Sequence, residues 1–455
     1  MDHHVEAARQ VYGCRPWILA TGVLASAPAQ LAELRAVGVD DVLVLAGSHG
    51  TGALPDDDDA IVLGVRGTTM MDAVHGLDRA LADVPAAVRT AVDRFDPEHR
   101  AGVIPPMFSH LSTIAERRVW GARPAPWRAL ENKTVVDQLW DAAGVPRAAS
   151  VVVPADTEAL RSAARGLDHG RGTVWVADNW AGWHGGASGL RWVRTAEEAD
   201  TAAAFMADRA DQVRVMQFLD GVPCSIHGMV LQDATVAFRP CEMVVLRRPG
   251  RTDLCYAGMA TMWDPPEEDR RQMRGYARRV GAHLRETVGY RGAFTIDGVM
   301  TADGFRPTEL NPRFGAALAM LAPTADLPLY LLHLAAVEGV DLQWRPDELE
   351  RAVIERADES RTARCHVVVD RVLDSDTMAL RRGPSGLEPT DDASGDVILR
   401  SGPAPAGGIV LVELADAAVA AGASVNPLVA EALGWADRRW ALGLGVLEPA
   451  MDVRR

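Results

Sequence analysis

Lysine is almost absent from this sequence. Lys133 is the single lysine, so nearly all of the 47 basic residues are arginine. The bases are outnumbered by 62 acidic residues, which leaves a formal net charge of -15. A protein whose main partner is nucleic acid needs a positively charged surface, so this balance argues against that class. The one position that kept lysine invites a chemical explanation.

Cysteines and long apolar runs are also scarce. The cysteines are Cys14, Cys224, Cys241, Cys255 and Cys365. Because no two are close enough for a zinc or redox motif, we expect reduced thiols. The amino terminus is too polar for a signal peptide, and apolar stretches such as Leu327–Val337 are too short to span a bilayer. We therefore expect a cytoplasmic protein without a membrane partner.

The 455 residues suggest several domains. Strand-like runs at Trp17–Ala20 and Val42–Leu45 flank helical spacing at Ala27–Val37. This rhythm predicts a Rossmann-like α/β domain over residues 1–128. The acidic run Asp56–Asp59 within it is interpreted as a solvated loop. Residues 345–455 are interpreted as a small C-terminal α/β domain.

A helix is predicted beside Lys133. Its apolar positions recur at helical spacing and are Val135, Val136, Leu139, Trp140 and Ala143. Asn132 can cap its start, and Gly144 lies just past its end. Lys133 is thereby expected in the first turn of the helix.

A hairpin is predicted around the tripeptide Ala302–Gly304, since three-residue hairpin loops favour glycine last. This pairing places Asp297 directly opposite Glu309, and Asn311 projects from the same face. Two carboxylates that close repel each other unless a cation lies between them. Magnesium takes oxygen ligands and shares its shell with phosphate oxygens, so the pattern indicates a magnesium–nucleotide site. Arg313, two residues further on, can stabilise a transferring phosphoryl group.

The alternative interpretation of this segment is a solvent-exposed acidic hairpin with an accidental Glu-x-Asn-x-Arg. The short motif alone is weak evidence. The upstream carboxylate and the matching hairpin register favour the metal site.

The arrangement Asp297…Glu309-Leu-Asn311-Pro-Arg313 resembles the metal-binding end of the ATP-grasp enzymes. Lys133, followed by a helix that ends in Ala-Gly-Val-Pro, is similar to the first nucleotide lysine of that family. Val213–Gly221 resembles the hinge strand whose backbone holds adenine. The resemblance implies two α+β lobes that clamp ATP over residues 129–344, with the smaller lobe at 147–217. The preceding and following segments would be the pre-ATP-grasp and C-terminal domains.

The resemblance also implies roles for individual residues. Lys133 would contact the nucleotide phosphates, while Asp297, Glu309 and Asn311 would hold Mg²⁺, with Mn²⁺ left open. The adenine hinge would comprise Met216, Gln217 and Leu219. The mobile glycine-rich loop over the phosphates would include Gly185, Gly186, Ser188 and Gly189.

Further arginines are expected near the reacting groups. Arg313 and Arg291 would stabilise the acyl-phosphate region. Arg247, Arg248 and Arg251 fall in a loop that the family places near substrate, where they could bind a carboxylate. A solvated basic loop is an equal alternative for these three.

One feature departs from the family. A second lysine is usual at the end of the strand before the glycine-rich loop, but Ala177 occupies the expected place. The contact with the α-phosphate of the nucleotide must then come from another residue, such as an arginine, or be weaker. Trp180 and Trp183 in the loop could stack on a ring or pack in a core, and His184 is interpreted as a structural hydrogen-bonding residue.

The resemblance implies an ATP-dependent carboxylate–amine ligase that releases ADP and phosphate by way of an acyl phosphate. The domain order is similar to that of peptide ligases in bacterial natural-product pathways, such as the pheganomycin type. A small-molecule carboxylate and an amino acid or peptide acceptor would be the substrates, and a homodimer is compatible with the sequence. The alternatives are another ATP-grasp reaction, such as carboxylation, and a non-catalytic nucleotide-binding regulator.

Overall fold

The computed structural model describes residues 2–55, 60–392 and 395–454, so the acidic run Asp56–Asp59 lies outside the described residues. The amino-terminal elements are α1 (Asp2–Tyr12), β1 (Trp17–Val23), α2 (Ala27–Ala36), β2 (Val42–Ser48), β3 (Ala60–Val62), α3 (Met70–Ala82), α4 (Ala86–Phe95), β4 (Gly102–Ile104), β5 (Thr113–Ile114) and β6 (Arg117–Arg118). The strands of the parallel sheet follow the order β3-β2-β1-β4. The expected Rossmann-like pattern of parallel strands and helices is therefore present.

A second group of elements forms a smaller antiparallel sheet. They are α5 (Ala125–Ala129), α6 (Val136–Ala142), β7 (Ser150–Pro154), α7 (Thr157–Leu167), β8 (Thr173–Ala177), β9 (Leu190–Val193), α8 (Ala196–Ala207) and β10 (Gln212–Gln217). The sheet order is β7-β10-β8-β9. Helix α6 begins at Val136, so Lys133 lies in the turn before it, and not in its first turn as predicted. Val135, expected to face inward, is 42% exposed.

The central sheet is built from a third group of elements. They are β11 (Val222–Val230), β12 (Thr235–Ala237), β13 (Cys241–Leu246), β14 (Cys255–Ala260), α9 (Glu267–Val288), β15 (Gly292–Thr301), β16 (Gly304–Asn311), α10 (Ala316–Ala325) and α11 (Leu329–Val337). Helix α9 carries acidic residues in its first turn, which suits the helix dipole, and it ends at Gly289 with φ +63°. Its apolar face packs on the sheet together with α6.

The C-terminal elements continue this sheet. They are α12 (Pro346–Glu359), β17 (Ala363–Val369), β18 (Asp376–Gly383), β19 (Gly386–Thr390), β20 (Val397–Ala404), β21 (Gly407–Leu414) and α13 (Asn426–Trp440). Strand β17 pairs with β14, and the sheet order is β16-β15-β11-β13-β14-β17-β21-β20-β18-β19, with β12 on β11. The C-terminal strands therefore share hydrogen bonds with the strands that carry the candidate site. In the part of the chain that the structure describes, no helix combines the length and apolarity needed to cross a bilayer.

Candidate functional site

The hairpin of β15 and β16 carries the two carboxylates. Thr301 pairs with Gly304, so the turn has two residues, and the predicted three-residue loop is wrong. The register shifts between Asp297 and Gly298, where a bulge adds one residue to β16. Because the bulge offsets the shorter turn, Asp297 still lies directly opposite Glu309, and the predicted pairing is confirmed.

A hydrogen-bonded network joins these residues to two cations. Asn311 Nδ2 donates to Asp297 Oδ2 at 2.8 Å, and Asn311 Oδ1 accepts from Arg313 Nη2 at 3.1 Å. Lys133 Nζ lies 2.5 Å from Glu309 Oε1 and 3.5 Å from Asn311 Oδ1. The only lysine of the sequence is thus brought to the carboxylates, although it is 176 residues from Glu309 along the chain.

The two carboxylates differ in how readily they ionise. Burial, followed by the charge of Glu309, raises the pKa of Asp297 to about 7. Burial also opposes ionisation of Glu309, but the Lys133 ammonium outweighs it and holds the pKa of Glu309 below its ordinary value. The positive charge near Asp297 and Glu309 is therefore too small for both carboxyl groups to be ionised without a cost in free energy.

The donor set suits a hard divalent cation. Among the described residues, no three or more His, Cys, Asp and Glu side chains are grouped as a metal site. Asp297, Glu309 and Asn311 instead offer two carboxylates and one amide on neighbouring strands. Magnesium commonly binds through one or two carboxylates and completes its shell with water and substrate phosphates. The residues present fit such an ion, which would also relieve the repulsion between the carboxylates.

Arg313 is held from two sides. Its Nε lies 3.1 Å from Glu131 Oε1, and Glu131 is itself only 2% exposed and bonded to Arg123 at 2.7 Å. The guanidinium also lies 4.7 Å from the ring centre of Phe108 and 5.3 Å from that of Trp183. These contacts fix a cation beside Asn311, where it can face a developing negative charge.

A cleft of about 500 Å³ runs between the smaller antiparallel sheet and this hairpin. The residues expected at the adenine hinge, Met216, Gln217 and Leu219, line it, as do Gly185 and Gly186. Ser188 and Gly189 line an adjoining cavity instead. Within the loop, Ser188 Oγ donates to the carbonyl oxygen of Gly185 at 2.8 Å. The hinge residues and the first two loop glycines therefore line the cleft that holds the carboxylates, whereas Ser188 and Gly189 lie beside it.

Of the three arginines expected near the substrate, only Arg247 lines the cleft. Arg247 bonds to Asp220 at 3.0 Å. Arg248 and Arg251 both bond to Asp253, at 2.6 Å and 2.8 Å. These arginines are therefore paired with acidic residues of the chain itself.

Arg291 is not among the cleft-lining residues. Its guanidinium packs against Gly339, since a Cβ atom added at that glycine would lie only 2.8 Å from Arg291 Nη1. It precedes β15 by one residue, and Asp297 is six residues further along the chain, about 20 Å in an extended strand. The structure therefore does not bring Arg291 to the cleft.

The side chain at position 177, where the family usually has its second lysine, faces the core and not the cleft. The side chain of Ala177 packs in the core with Trp175 and Leu160, whereas Val174 and Val176 belong to the cluster on the opposite, cleft-facing side of the strand. His184 Nε2 donates to the carbonyl oxygens of Ala177 and Asp178 at 3.0 and 3.2 Å. His184 therefore ties the loop to the end of β8, the structural role expected for it.

Sequence reasoning missed several residues around the cleft. Phe108, Tyr256 and His366 all line it. They come from three distant parts of the chain and belong to no recognisable motif. Trp183, for which stacking was one option, contacts Phe108 with ring centres 4.8 Å apart, while Trp180 is 62% exposed.

Solved structures share this architecture. N5-carboxyaminoimidazole ribonucleotide synthetase in its ADP complex is 14% identical, with 93% of this chain and 97% of that chain covered and a TM-score of 0.50. The carboxyaminoimidazole ribonucleotide synthase of Aspergillus clavatus complexed with ATP is 12% identical, with 91% and 97% covered and a TM-score of 0.52. Rhizobium etli pyruvate carboxylase with its activator acetyl coenzyme A is 16% identical, with 93% and 37% covered and a TM-score of 0.53.

No protein-family model and no curated protein matches the sequence. The structural similarities identify the ATP-grasp fold, as the sequence predicted, and at these identities they establish the fold alone.

Proposed function

We propose that this protein is an ATP-dependent ligase that joins a carboxylate to an amine by way of an acyl phosphate. The observation that carries the proposal is the convergence of Lys133, Asp297, Glu309, Asn311 and Arg313 at one wall of the cleft. The ATP-grasp fold supports a nucleotide in that cleft, with its base against β10 and its phosphates towards the carboxylates. Magnesium, when bound by Asp297, Glu309 and Asn311, would supply the charge that polarises the γ-phosphate.

The chain's residues would act mainly by position and charge. A substrate carboxylate oxygen attacks the γ-phosphorus, the bond to the β–γ bridging oxygen breaks, and ADP leaves. Arg313 would stabilise the charge on the transferring group, since its guanidinium is fixed by Glu131 and by two aromatic rings. The amine nitrogen then attacks the acyl carbon, loses a proton, and phosphate leaves with the bonding electron pair.

The glycine-rich loop and the hinge complete the proposed site. Gly185 and Gly186 offer backbone N–H groups without a side chain that would block a phosphate. Met216, Gln217 and Leu219 would enclose the base through apolar contact and backbone groups. Closure of the loop would keep water from the acyl phosphate.

At the finer level, we propose that the protein is a peptide ligase of a natural-product pathway, with an amino acid or peptide as acceptor. This narrower role is supported by the order of the sequence segments, namely a parallel-sheet domain, an ATP-grasp core and C-terminal strands. An apolar cavity beside the cleft also suits an amino-acid side chain.

A coupled assay tests the reaction class. Purified protein with ATP, Mg²⁺ and pools of carboxylic acids and amines is expected to release ADP and phosphate only when both substrates are present. Release of AMP and pyrophosphate would rule out the acyl-phosphate scheme. Turnover that requires bicarbonate, with no acid pool, would favour carboxylation.

A second candidate function is a nucleotide-binding regulator. The observation that favours it is that the cleft-facing side chains of β8 are the apolar Val174 and Val176, so this strand supplies no lysine to the cleft. Both candidates bind ATP with Mg²⁺ in a calorimetric titration, so the coupled assay separates them, because a regulator shows no turnover with any substrate pool.

A further inference from the structure

A second cavity of about 430 Å³ lies beside the cleft. It lies outside the carboxyl ends of β1, β2 and β4, where Val23, Gly50 and Met107 line it. In the strand order β3-β2-β1-β4, strands β2 and β3 are added on one side of β1 and β4 is added on the other side. The order of the strands therefore reverses at β1. Open parallel sheets bind ligands at such a reversal, so this is a favoured position for a small molecule.

The cavity is mostly apolar and joins the cleft. Leu77, Tyr330 and Ile409 contribute to its walls. Phe108 and His366 line both the cavity and the cleft. A molecule in the cavity would therefore have one end beside the guanidinium of Arg313, which contacts Phe108.

Two basic side chains of β17 face this space, which the carboxyl groups of Glu33 and Asp78 also line. Arg364 and His366 are two residues apart, so they project from the same face about 7 Å apart. Among the described residues, the Arg364 guanidinium has no ion-pair or hydrogen-bond partner, unlike Arg247, Arg248 and Arg251. Arg364 lines the cavity but not the cleft, whereas His366 stands where the two meet.

We propose that this cavity is the binding site of the amine substrate, an α-amino acid with a large apolar side chain. Its carboxylate pairs with Arg364, its side chain fills the apolar walls, and its amine points past His366 towards the cleft. Burial lowers the pKa of His366, so its neutral imidazole can accept a hydrogen bond from the amine. A carboxylate held at Arg364 is turned away from the cleft, so this molecule is the acceptor, and not the acid that is phosphorylated.

The assignment as acceptor rests on the proposed ligase function, but the binding site does not. Calorimetric titration without nucleotide tests the site with three probes, L-phenylalanine, glycine and 2-phenylethylamine. L-phenylalanine is expected to bind at least about tenfold more tightly than glycine, because only its side chain fills the cavity. It is also expected to bind more tightly than 2-phenylethylamine, which lacks the carboxylate.

Two variants separate the carboxylate contact at Arg364 from the apolar contacts of the cavity walls. Arg364→Gln is expected to weaken L-phenylalanine binding about tenfold and to leave 2-phenylethylamine unchanged, because only the carboxylate contact is lost. Ala319→Phe narrows the cavity from α10 and is expected to weaken both ligands. Arg400→Gln, at an exposed arginine of β20 that pairs with Glu413, serves as the matched control and should change neither affinity.

The outcomes distinguish the site from the reaction. If L-phenylalanine binds no better than glycine, or if both cavity variants bind it like the unaltered protein, the proposed site is refuted. If binding follows the expected pattern but apolar amino acids never support ADP release with any acid pool, the site stands and the ligase function fails.

Discussion

Asp96 and Asp297 are both enclosed carboxylates beside arginines, yet their surroundings differ sharply. Asp96 ends α4 and accepts hydrogen bonds from the N–H groups of Arg100 and Ala101, at 2.8 and 3.1 Å. It also accepts one from Arg117 Nε at 3.0 Å. The side chain of Asp297 accepts a hydrogen bond from Asn311 Nδ2 at 2.8 Å, and the carboxylate of Glu309 lies opposite it.

The difference reverses the sign of their pH dependence. Burial opposes ionisation of Asp96, but the two N–H groups and Arg117 outweigh it and lower its pKa, so its contribution to stability is lost as the pH falls through that value. The pKa of Asp297 is raised to about 7, so its ionisation costs stability as the pH rises from about 4 through 7. The first carboxylate supports the fold, whereas the second is suited to exchange a proton for a metal ion.

Glu309→Gln is expected to give the largest effect. The amide removes one of the two charges proposed to hold Mg²⁺ and takes away the carboxylate that pairs with Lys133, so ATP turnover should fall at least about 100-fold. The measurement is ADP release at saturating ATP. Glu388→Gln, on the exposed face of β19, is the control and should retain full turnover. A fully active Glu309→Gln enzyme would refute the metal assignment.

Asp96→Ala tests the other half of the comparison. Its removal leaves the buried guanidinium of Arg117 poorly compensated, so the free energy of unfolding should fall by about 3 kcal/mol, as measured by urea denaturation. Asp93→Ala is the matched control, because Asp93 contacts the same guanidinium at 2.7 Å but is 46% exposed. It should cost less than about 1 kcal/mol. Equal losses would show that burial does not distinguish the two carboxylates.

The sequence predicted the pairing of the two carboxylates in the candidate site, because that part of the site is local. Alternation along two neighbouring strands is enough to bring Asp297 and Glu309 together. The predicted turn was nevertheless wrong, and a bulge corrected the register at the site. Bulges depend on packing against other strands, so a hairpin's own residues do not reveal them.

The rest of the site could not be predicted, because it is assembled from distant segments. Phe108 precedes Arg313 by more than 200 residues and meets it only when the parallel sheet docks on the central sheet. The orientation of Ala177 was also hidden, since one residue of strand register decides whether a side chain faces the cleft or the core. Arg291 is the converse case, because the family resemblance implied a role near the reacting groups but its side chain is not among those that line the cleft.

Asp297→Asn is expected to stabilise the metal-free protein. The amide keeps an oxygen for Asn311 Nδ2 but removes the repulsion with Glu309, so the melting temperature at pH 8 should rise by about 2–4 °C. The gain should shrink at pH 5, where Asp297 in the folded protein already carries its proton. Calorimetric melting curves at the two pH values measure it. A variant less stable than the parent at pH 8 would contradict the proposed repulsion.

Trp183→Leu is expected to give the smallest effect and compares two arginines. Arg117 is held by carboxylates, whereas Arg313 is held partly by the rings of Phe108 and Trp183. Loss of one ring removes a cation–π contact of about 1 kcal/mol, so turnover should fall about fivefold. Trp180→Leu, in the same loop but 62% exposed, should leave turnover unchanged. Equal losses in the two variants would mean that the loop, and not the contact with Arg313, is what matters.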